Sequence, residues 1–522
     1  MGRARKRDVE AAELWDQMGE DELLSNDPGV LRIHREEVAK EKFSRTPNAH
    51  VKSYIVTNQE KRAKRENLLE LSEKTNSTKP DNVTQRESDL TYRKFIKNLK
   101  MELNPQVVTR ENQYSKVRSA VAMLGHLPYE EQLRLKQQKN AEILAVLKRA
   151  SNNNPKVSRC REGAILSATV REQYRCKDEF SVHLDIEGRP TVGFYIGGGS
   201  TGIICVEPRE VEVVKDSHKR VAIAYQQIIR ESKLPPNLDL GPRLGGVEGV
   251  WGSLLVKSNQ KGDLMARVSI CGKQLDRGQI QSVRNEVVKG FSQKINVELH
   301  SLYLEISDHE GKKTLELLQG NPHLEEELLG KKILLGPDSF FQGHHAMAAT
   351  LVKVVRSKLK SNSIATLLDL CCGVGNFSLH LAANYRECIG VDVTDTSLAF
   401  QNARTNGLEN CRFVTGNVGA VMPALVGKVR STGSEVVAVV NPGRGGVNRE
   451  VVEHLRSLPL LSSLVYISCE PEDRQVVGNM LSLVKVHKKE KTLPFTLTNV
   501  IPIDMFPHTH HCEHVFVFNR KI

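Results

Sequence analysis

The chain has 522 residues, with 74 lysines and arginines against 62 acidic residues, so its formal charge is +12 and its pI about 9.1. This length is too great for one hydrophobic core and predicts two or more domains. The positive charge favours a polyanionic partner such as nucleic acid. No apolar run approaches the roughly 18 residues that cross a bilayer, so we expect no contact with a membrane. The ten cysteines form no CxxC pair, which indicates free thiols in a reducing compartment.

The first 115 residues are rich in charged and polar side chains. Basic clusters lie at residues 3–7 and 61–65, and residues 75–88 are almost entirely polar. Such a composition cannot bury enough apolar surface to fold alone, so we expect a disordered tail. The basic clusters fit a nuclear signal or an RNA-contacting arm, and a solvated tail explains them more simply. The acidic residues at 20–22 argue against a mitochondrial presequence.

Residues 116–155 are predicted to form a helical lead-in to the next domain. Between residues 127 and 149 apolar side chains recur at helical spacing, with lysines between them: Leu133, Leu135, Ile143, Leu144, Val146 and Leu147. This periodicity is typical of an amphipathic helix with one buried face.

Residues 156–336 change to short alternating or apolar runs separated by glycine, asparagine and aspartate. The pattern predicts an α+β domain built on an antiparallel sheet, with helices near residues 221–232 and 280–292. The sequence Tyr-Arg-Cys-Lys at 174–177 precedes its first strand. This cluster has the chemistry to stack on RNA bases and neutralise phosphates, and an ordinary strand edge explains it equally well.

Residues 337–522 alternate between strands and helices, which predicts a doubly wound parallel sheet. The predicted strands cover residues 365–370, 387–392, 412–414, 436–441 and 463–468. The predicted helices cover residues 345–358, 377–383 and 398–406. Two last apolar runs, near 500–505 and 515–518, are close enough in sequence to form an antiparallel pair at the sheet edge.

The first of these strands ends in a glycine turn, Cys-Cys-Gly-Val-Gly-Asn at 371–376. Glycines at this position let the backbone approach a nucleoside. Asp392 ends the next strand about 20 residues later, the spacing of a carboxylate that accepts ribose hydroxyls. The pattern alone does not separate NAD from S-adenosylmethionine, and both glycines could be simple turn residues. The strand acid Asp369 and the missing third glycine favour S-adenosylmethionine.

Candidate functional residues follow two further predicted strands. The loop Asn-Pro-Gly-Arg at 441–444 is of the polar-proline type that lies beside the methyl donor in nucleobase methyltransferases. Cytosine-C5 RNA enzymes commonly carry a cysteine after this proline, whereas this chain has Gly443. A nucleophile must therefore come from elsewhere, and Cys469, after the next strand, is the candidate. The alternative for Cys469 is a small buried hydrophobe.

The last motif, residues 503–515, has four histidines, a cysteine and a glutamate within a few residues of one another: His508, His510, His511, Cys512, Glu513 and His514. A zinc site is one interpretation, although the spacing matches no standard ligand set and a second cluster is missing. The other interpretation is a loop that presents one acid or base, with Glu513 as the candidate.

Together and in this order, the motifs resemble the RNA uracil-5-methyltransferase family over roughly residues 125–522. The resemblance is carried by residues 339–342, 368–377, 441–444, 465–469 and 504–513. The family usually has Asp-Pro-Pro-Arg at 441–444 and Ser-Cys-Asn-Pro where this chain has Ser-Cys-Glu-Pro at 468–471. An asparagine at 441 is similar to the animal mitochondrial branch, and the general resemblance is to the animal cytosolic and mitochondrial homologues.

The resemblance implies a Rossmann-like, S-adenosylmethionine-dependent methyltransferase domain at residues 337–522, preceded by a central domain that contacts RNA. The activity implied is methylation of carbon 5 of a uridine, in the T-loop of tRNA, with Cys469 as nucleophile on carbon 6 and Glu513 as general base. The residues implied to hold the methyl donor are Gln342, Cys371, Gly373, Asn376, Asp392 and Asn441. Arg444 is expected to hold the nucleophile loop or a phosphate. We expect no metal or iron–sulfur cluster, and a monomer.

Three alternatives stay open from sequence. The same chemistry could act on mitochondrial ribosomal RNA, or the chain could be a weakly active or inactive RNA-binding paralogue. A nicotinamide dehydrogenase is disfavoured by the Cys469 and Glu513 motifs. The compartment is also open, since the branch resemblance indicates mitochondria and the basic, acid-containing N-terminus indicates nucleus or cytosol.

Overall fold

The computed structural model describes residues 92–103, 107–197, 202–239, 246–294, 298–486 and 492–522. The chain divides into two units, Met1–Leu90 and Thr91–Ile522. Most of the predicted disordered tail, with its basic clusters, therefore lies outside the described residues. In the described part, no helix is long and apolar enough to cross a membrane.

Three helices open the second unit: α1 (Tyr92–Leu103), α2 (Gln113–Val121) and α3 (Tyr129–Ala150). Helix α3 is the predicted amphipathic helix, with acids in its first turn and bases in its last, which complements the helix dipole. Helix α1 falls within the residues predicted as disordered tail. Its few apolar side chains are buried in a small core with α3, so tertiary packing rather than composition makes it helical.

The central sheet has seven strands in the order β4-β3-β2-β5-β6-β7-β8. The strands are β2 (Lys177–Leu184), β3 (Pro190–Gly197), β4 (Ile203–Val206), β5 (Trp251–Ser258), β6 (Leu264–Cys271), β7 (Leu299–Ser307) and β8 (Lys313–Gly320). The predicted antiparallel pattern is present except between β6 and β7, which are parallel. The connection between β6 and β7 carries helix α6 (Arg277–Lys294), a length that permits a parallel crossover. Helix α5 (Asp216–Glu231) packs beside α6.

Short helix α4 (Pro155–Ser158) and strand β1 (Arg161–Glu162) lie between α3 and the central sheet in the chain. Strand β1 pairs in parallel with β16 (Thr496–Ile503) of the C-terminal sheet. A hairpin of β9 (Leu324–Leu328) and β10 (Lys331–Leu335) follows the central sheet. The buried leucines and isoleucine of this hairpin belong to the core of the C-terminal sheet. Both pieces fall in the range predicted for the central domain, yet they pack against the next one.

The C-terminal sheet has the order β1-β16-β17-β15-β14-β11-β12-β13. Its strands are β11 (Asn362–Leu370), β12 (Tyr385–Asp392), β13 (Cys411–Thr415), β14 (Val436–Val440), β15 (Leu461–Ser468), β16 (Thr496–Ile503) and β17 (Glu513–Asn519). Strands β11 to β15 are parallel, as predicted, and β17 runs antiparallel between β15 and β16. The connecting helices are α8 (Asn376–Leu381), α9 (Ser397–Thr405), α10 (Val418–Thr432), α11 (Arg449–Ser457) and α12 (Arg474–Val484), and α7 (His345–Lys358) precedes β11.

Candidate active site

The order of the C-terminal sheet reverses between β11 and β14, because the chain adds β12 and β13 on one side and β14 and β15 on the other. Ligands of open α/β sheets bind at such a switch point, outside the carboxyl ends of the strands. A cleft of about 790 Å³ lies there. Four of the six predicted methyl-donor residues line it: Cys371, Gly373, Asp392 and Asn441.

The glycine turn has the backbone geometry that the sequence indicates. Gly373 has φ of 54° and Gly375 φ of 84°, in the left-handed region where glycine meets no penalty. The Gly373 amide donates to Asp392 Oδ2 at 2.8 Å, while Thr394 donates to Oδ1 from its amide and its hydroxyl. These bonds fix the carboxylate at the rim of the cleft. They use three of its roughly four lone-pair sites, which leaves acceptor capacity for a ligand hydroxyl.

Asp369 lies beneath the turn and is fully buried. Its Oδ2 accepts from the amide and the hydroxyl of Ser378, which ties the end of β11 to the first turn of α8. Burial raises the pKa of this carboxyl to about 6, although the two bonds from Ser378 oppose the rise. Asp369 therefore fixes the strand–turn–helix connection and does not line the cleft.

Gln342 and Asn376 are the two predicted methyl-donor residues outside the cleft lining, and both are buried. The Asn376 side-chain oxygen Oδ1 has no hydrogen-bond partner among the described residues. A buried oxygen without a partner is costly unless something else satisfies it. This observation fits a ligand that reaches beyond the cleft lining, and the roles of Gln342 and Asn376 stay predictions.

The loop after β14 is fastened by a residue that the sequence did not single out, Asn479 on α12. Its Oδ1 accepts from the Val447 amide at 3.1 Å and from the Tyr466 hydroxyl at 2.9 Å, and its Nδ2 donates to the Val447 carbonyl. Gly446 has φ of 72°, and a Cβ there would lie 2.7 Å from both Asn479 Oδ1 and the Tyr466 hydroxyl. An internal helix asparagine carries no sequence signal for such a role, so only the structure identifies it.

Cys469 and Glu513, the two predicted catalytic residues, come together at the same edge of the sheet. Ser468 at the end of β15 pairs with His514 in β17, so the antiparallel register brings Cys469 beside Glu513. Cys469 is half-buried, whereas Glu513 is 6% exposed. Because β15 neighbours β14, the pair also lies beside the loop that carries Asn441.

The environment of the pair shifts the pKa of both groups. Burial raises the pKa of the Cys469 thiol to about 11, and the carboxylates of Glu513 and Glu470 add to the rise, while the charge of Arg444 opposes it. Burial alone raises the pKa of Glu513 to about 8. A carboxyl with a pKa near the working pH has the property expected of a general base.

The histidine-rich motif forms no recognisable metal centre. Among the residues that the structure describes, no three or more histidine, cysteine or acidic side chains are placed to hold a metal ion. Burial lowers the pKa of His510 to about 3 and that of His511 to about 4. His511 Nδ1 lies 3.5 Å from Glu470 Oε1, and because this imidazole is neutral at pH 7 the contact is polar rather than ionic.

The aromatic cluster before β2 does not offer a stacking surface through Tyr174. The Tyr174 ring is buried and stacks on His344 with ring centroids 4.6 Å apart, and its hydroxyl donates to the Pro507 carbonyl. Of the two interpretations for this cluster, the strand-edge interpretation therefore fits Tyr174.

Known proteins are similar to this chain over the region that contains these site residues. The family model for tRNA (Uracil-5-)-methyltransferase matches residues 330–521. The chain is 33% identical over 426 residues to human tRNA (uracil-5-)-methyltransferase homolog B, covering 77% of this chain and 83% of that protein. The chain belongs to the tRNA (uracil-5-)-methyltransferase family. The predicted family and the predicted enzyme class, an S-adenosylmethionine-dependent RNA methyltransferase, are thereby confirmed.

Other members of the family show similar coverage. The Danio rerio homolog B is 34% identical over 421 residues, covering 77% of this chain and 86% of that protein. The Mus musculus homolog A is 26% identical over 436 residues, covering 78% and 70%. The solved structure of Pyrococcus abyssi tRNA (uracil-54, C5)-methyltransferase in complex with S-adenosyl-L-homocysteine is 19% identical, with a TM-score of 0.53 and coverage of 76% of this chain and 85% of that one. At this identity the likeness shows a shared fold.

Proposed function

We propose that this protein methylates carbon 5 of a uridine in RNA, the T-loop uridine of tRNA, through a covalent bond between Cys469 and carbon 6. The observation that carries the proposal is the pairing of Cys469 with a buried Glu513 beside a cleft at the sheet's switch point. The relatives named for tRNA (uracil-5-) methylation support uridine in tRNA as the substrate.

The residues around the cleft fit S-adenosylmethionine, which supplies a sulfonium methyl group when bound. Asp392 has acceptor capacity left for ribose hydroxyls. Asn376 Oδ1 is a buried oxygen that lacks a partner in the described chain. Asn441, which lines the cleft, offers an amide in place of the family's usual carboxylate. A volume of about 790 Å³ is within the ordinary range for a small-molecule site.

Cys469 performs the first step, because carbon 5 of uracil is a poor nucleophile. Its thiolate adds to carbon 6, and the electron pair of the carbon 5–carbon 6 double bond moves to make an enolate. Carbon 5 of this enolate would then bond to the methyl carbon as the methyl–sulfur bond of the sulfonium breaks, leaving a neutral thioether. Burial raises the pKa of this thiol to about 11, so the thiolate is a minor form at pH 7. Arg444, the cation that opposes this rise, favours the thiolate.

Glu513 performs the second step, in which the methylated adduct breaks down. Its carboxylate removes the remaining proton on carbon 5, and the C–H electron pair re-forms the double bond while the bond between Cys469 and carbon 6 breaks. The proton leaves carbon 5 and the thiolate leaves carbon 6. Because these ring atoms are adjacent, a base next to Cys469 is close to the proton that it has to remove. The Glu513 carboxyl needs to be ionised, so this step speeds up as the pH rises towards about 8.

The RNA has to bring an unstacked uridine to Cys469, at a cost of a few kcal/mol. The formal charge of +12 supplies favourable phosphate contacts to offset this cost. We assign part of these contacts to the central domain, whose sheet precedes the catalytic sheet in the chain.

The test incubates purified protein and S-adenosylmethionine with an unmodified tRNA transcript, then measures 5-methyluridine by nucleoside analysis. The expected result is one 5-methyluridine per tRNA, lost when the T-loop uridine is replaced by cytidine and lost in Cys469→Ala. Cys271→Ala, a buried cysteine of the central sheet, is the matched control and should retain activity. Product on a mitochondrial ribosomal RNA fragment but not on tRNA would overturn the substrate assignment. Methyl-donor binding without product on either RNA would indicate an inactive paralogue.

A further inference from the structure

The loop that precedes Glu513 is held from outside the catalytic sheet. Residues 504–512 connect β16 to β17, and Ile503 pairs with Glu513 where the two strands meet the loop. The Tyr92 hydroxyl donates to the His510 carbonyl at 2.7 Å, and the Leu124 amide donates to the His508 carbonyl at 2.8 Å. Tyr92 begins helix α1 and Leu124 lies between α2 and α3, so both donors precede the central domain in the chain.

Helix α3 makes the most extensive contacts with this loop, through side chains at positions 129, 132 and 136. The Tyr129 hydroxyl donates to Asp504 Oδ2 at 2.8 Å. Lys136 Nζ donates to Asp504 Oδ1 at 2.5 Å and to the Phe506 carbonyl at 2.9 Å. Spacings of three and four residues put these side chains on one face of the helix, which points at the loop.

Gln132, the third of these side chains, makes two contacts with His508. Its Oε1 accepts from the His508 amide at 2.9 Å, and its Nε2 lies 3.1 Å from His508 Nδ1. Gln132 and Lys136 are fully buried, as is Asp504. Buried polar side chains normally need hydrogen-bond partners, and Gln132 and Lys136 both have partners on the loop, while Gln132 Nε2 also donates to the Leu127 carbonyl.

The far end of the loop reaches the reacting groups. His511 contacts Glu470, the neighbour of Cys469, and Cys512 donates its thiol hydrogen to the Ile503 carbonyl at 3.2 Å. Glu513 follows directly. Cys469 follows directly after β15 and belongs to a different segment, which meets the loop at the contact between Glu470 and His511, whereas a peptide bond joins Glu513 to the loop. A displacement of the loop therefore affects Glu513 more than Cys469.

We propose that Tyr129, Gln132 and Lys136 are positioning residues for the base step, because they fix the loop that sets the geometry of Glu513. The inference rests on the proposed function and extends it to a helix outside the methyltransferase domain. Weakening the contacts of these three side chains with the loop should slow the breakdown of the covalent adduct more than its formation.

The test compares the full-length protein with Lys136→Met on unmodified tRNA and labelled S-adenosylmethionine. The expected result is at least a tenfold fall in kcat, with methylated protein–RNA adduct accumulating at steady state and with the Kd for S-adenosylmethionine unchanged. The double variant Lys136→Met, Asp504→Asn removes the unpaired buried charge and keeps the test valid if the single variant does not fold. Lys136→Arg should restore part of the kcat, since it keeps the cation.

Gln137→Ala is the matched control, because Gln137 is on α3 but binds Gly163 and Ile165 rather than the loop. It should leave kcat and adduct level at the wild-type values. Equal losses in adduct formation and breakdown, or a fall in kcat without accumulated adduct, would overturn the positioning role. Failure of wild-type protein to form any adduct with 5-fluorouridine tRNA would instead count against the proposed function.

Discussion

Replacing Glu513 by glutamine removes a carboxyl that the fold keeps away from water. Burial raises its pKa from 4.5 to about 8, so the folded chain holds a proton that the unfolded chain releases. At 1.36 kcal/mol per pH unit, this difference corresponds to a destabilisation on the order of 5 kcal/mol above pH 8. Glutamine has nearly the same shape and does not ionise. We therefore expect Glu513→Gln to be more stable than the wild-type protein at alkaline pH while being inactive in turnover.

The difference in the free energy of unfolding between this variant and the wild type should grow as the pH rises. Below pH 4.5 the carboxyl is protonated in both states, so the variant and wild type should have the same free energy of unfolding. Between 4.5 and about 8 the wild type loses stability relative to the variant, and above 8 the difference is constant. Urea unfolding at about pH 5, 7 and 9 measures it. Glu450→Gln, an exposed position on α11, is the control and should give no pH-dependent difference. A difference for Glu513→Gln that is independent of pH would refute the desolvation argument.

Three further substitutions test the cleft and the nucleophile. Asp392→Asn should raise the Kd for S-adenosylmethionine roughly tenfold or more in calorimetry, because a charged acceptor is lost; an unchanged Kd would contradict its role. Arg444→Ala should slow adduct formation at pH 7 and move its pH profile to higher pH, since the cation that lowers the Cys469 pKa is gone; an unmoved profile would exclude that role. Gly446→Ala should lower stability by about 1–3 kcal/mol, whereas Gly445→Ala, with open space around it, should not; equal effects in thermal melts would refute the steric argument.

The C-terminal sheet could be predicted because its strands are buried on both faces and read as continuous apolar runs. All five residues of β14, Val436–Val440, are buried, as the sequence Val-Val-Ala-Val-Val indicates. Once the parallel strands were placed, the residues at their ends had to meet at one edge. This reasoning located Cys371, Asp392, Asn441 and Cys469 without coordinates.

The partnership of Cys469 and Glu513 depended on the family resemblance. Strand β17 is antiparallel and lies between β15 and β16, and apolar patterning does not encode that insertion. The parallel pairing of β6 and β7 was missed for the same reason, since a strand pattern does not state strand direction.

Helix α3 has a buried lysine that the sequence pattern did not predict. Its lysines lie between the apolar residues of the predicted amphipathic helix, and lysine side chains are ordinarily exposed. Lys136 is instead fully buried against Asp504. Periodicity identifies which residues share a face of a helix, but not what covers that face. The partner loop lies more than 350 residues further along the chain, and local patterns carry no information about it.

The most direct measurement uses tRNA that contains 5-fluorouridine, with S-adenosylmethionine and the purified protein. Fluorine cannot be removed as a proton, so Glu513 cannot complete the second step and the bond between Cys469 and carbon 6 persists. We predict a covalent protein–RNA band that requires S-adenosylmethionine, is absent in Cys469→Ala and remains in Glu513→Gln. A band that persists in Cys469→Ala, or no band with tRNA or with total cellular and mitochondrial RNA, would contradict it.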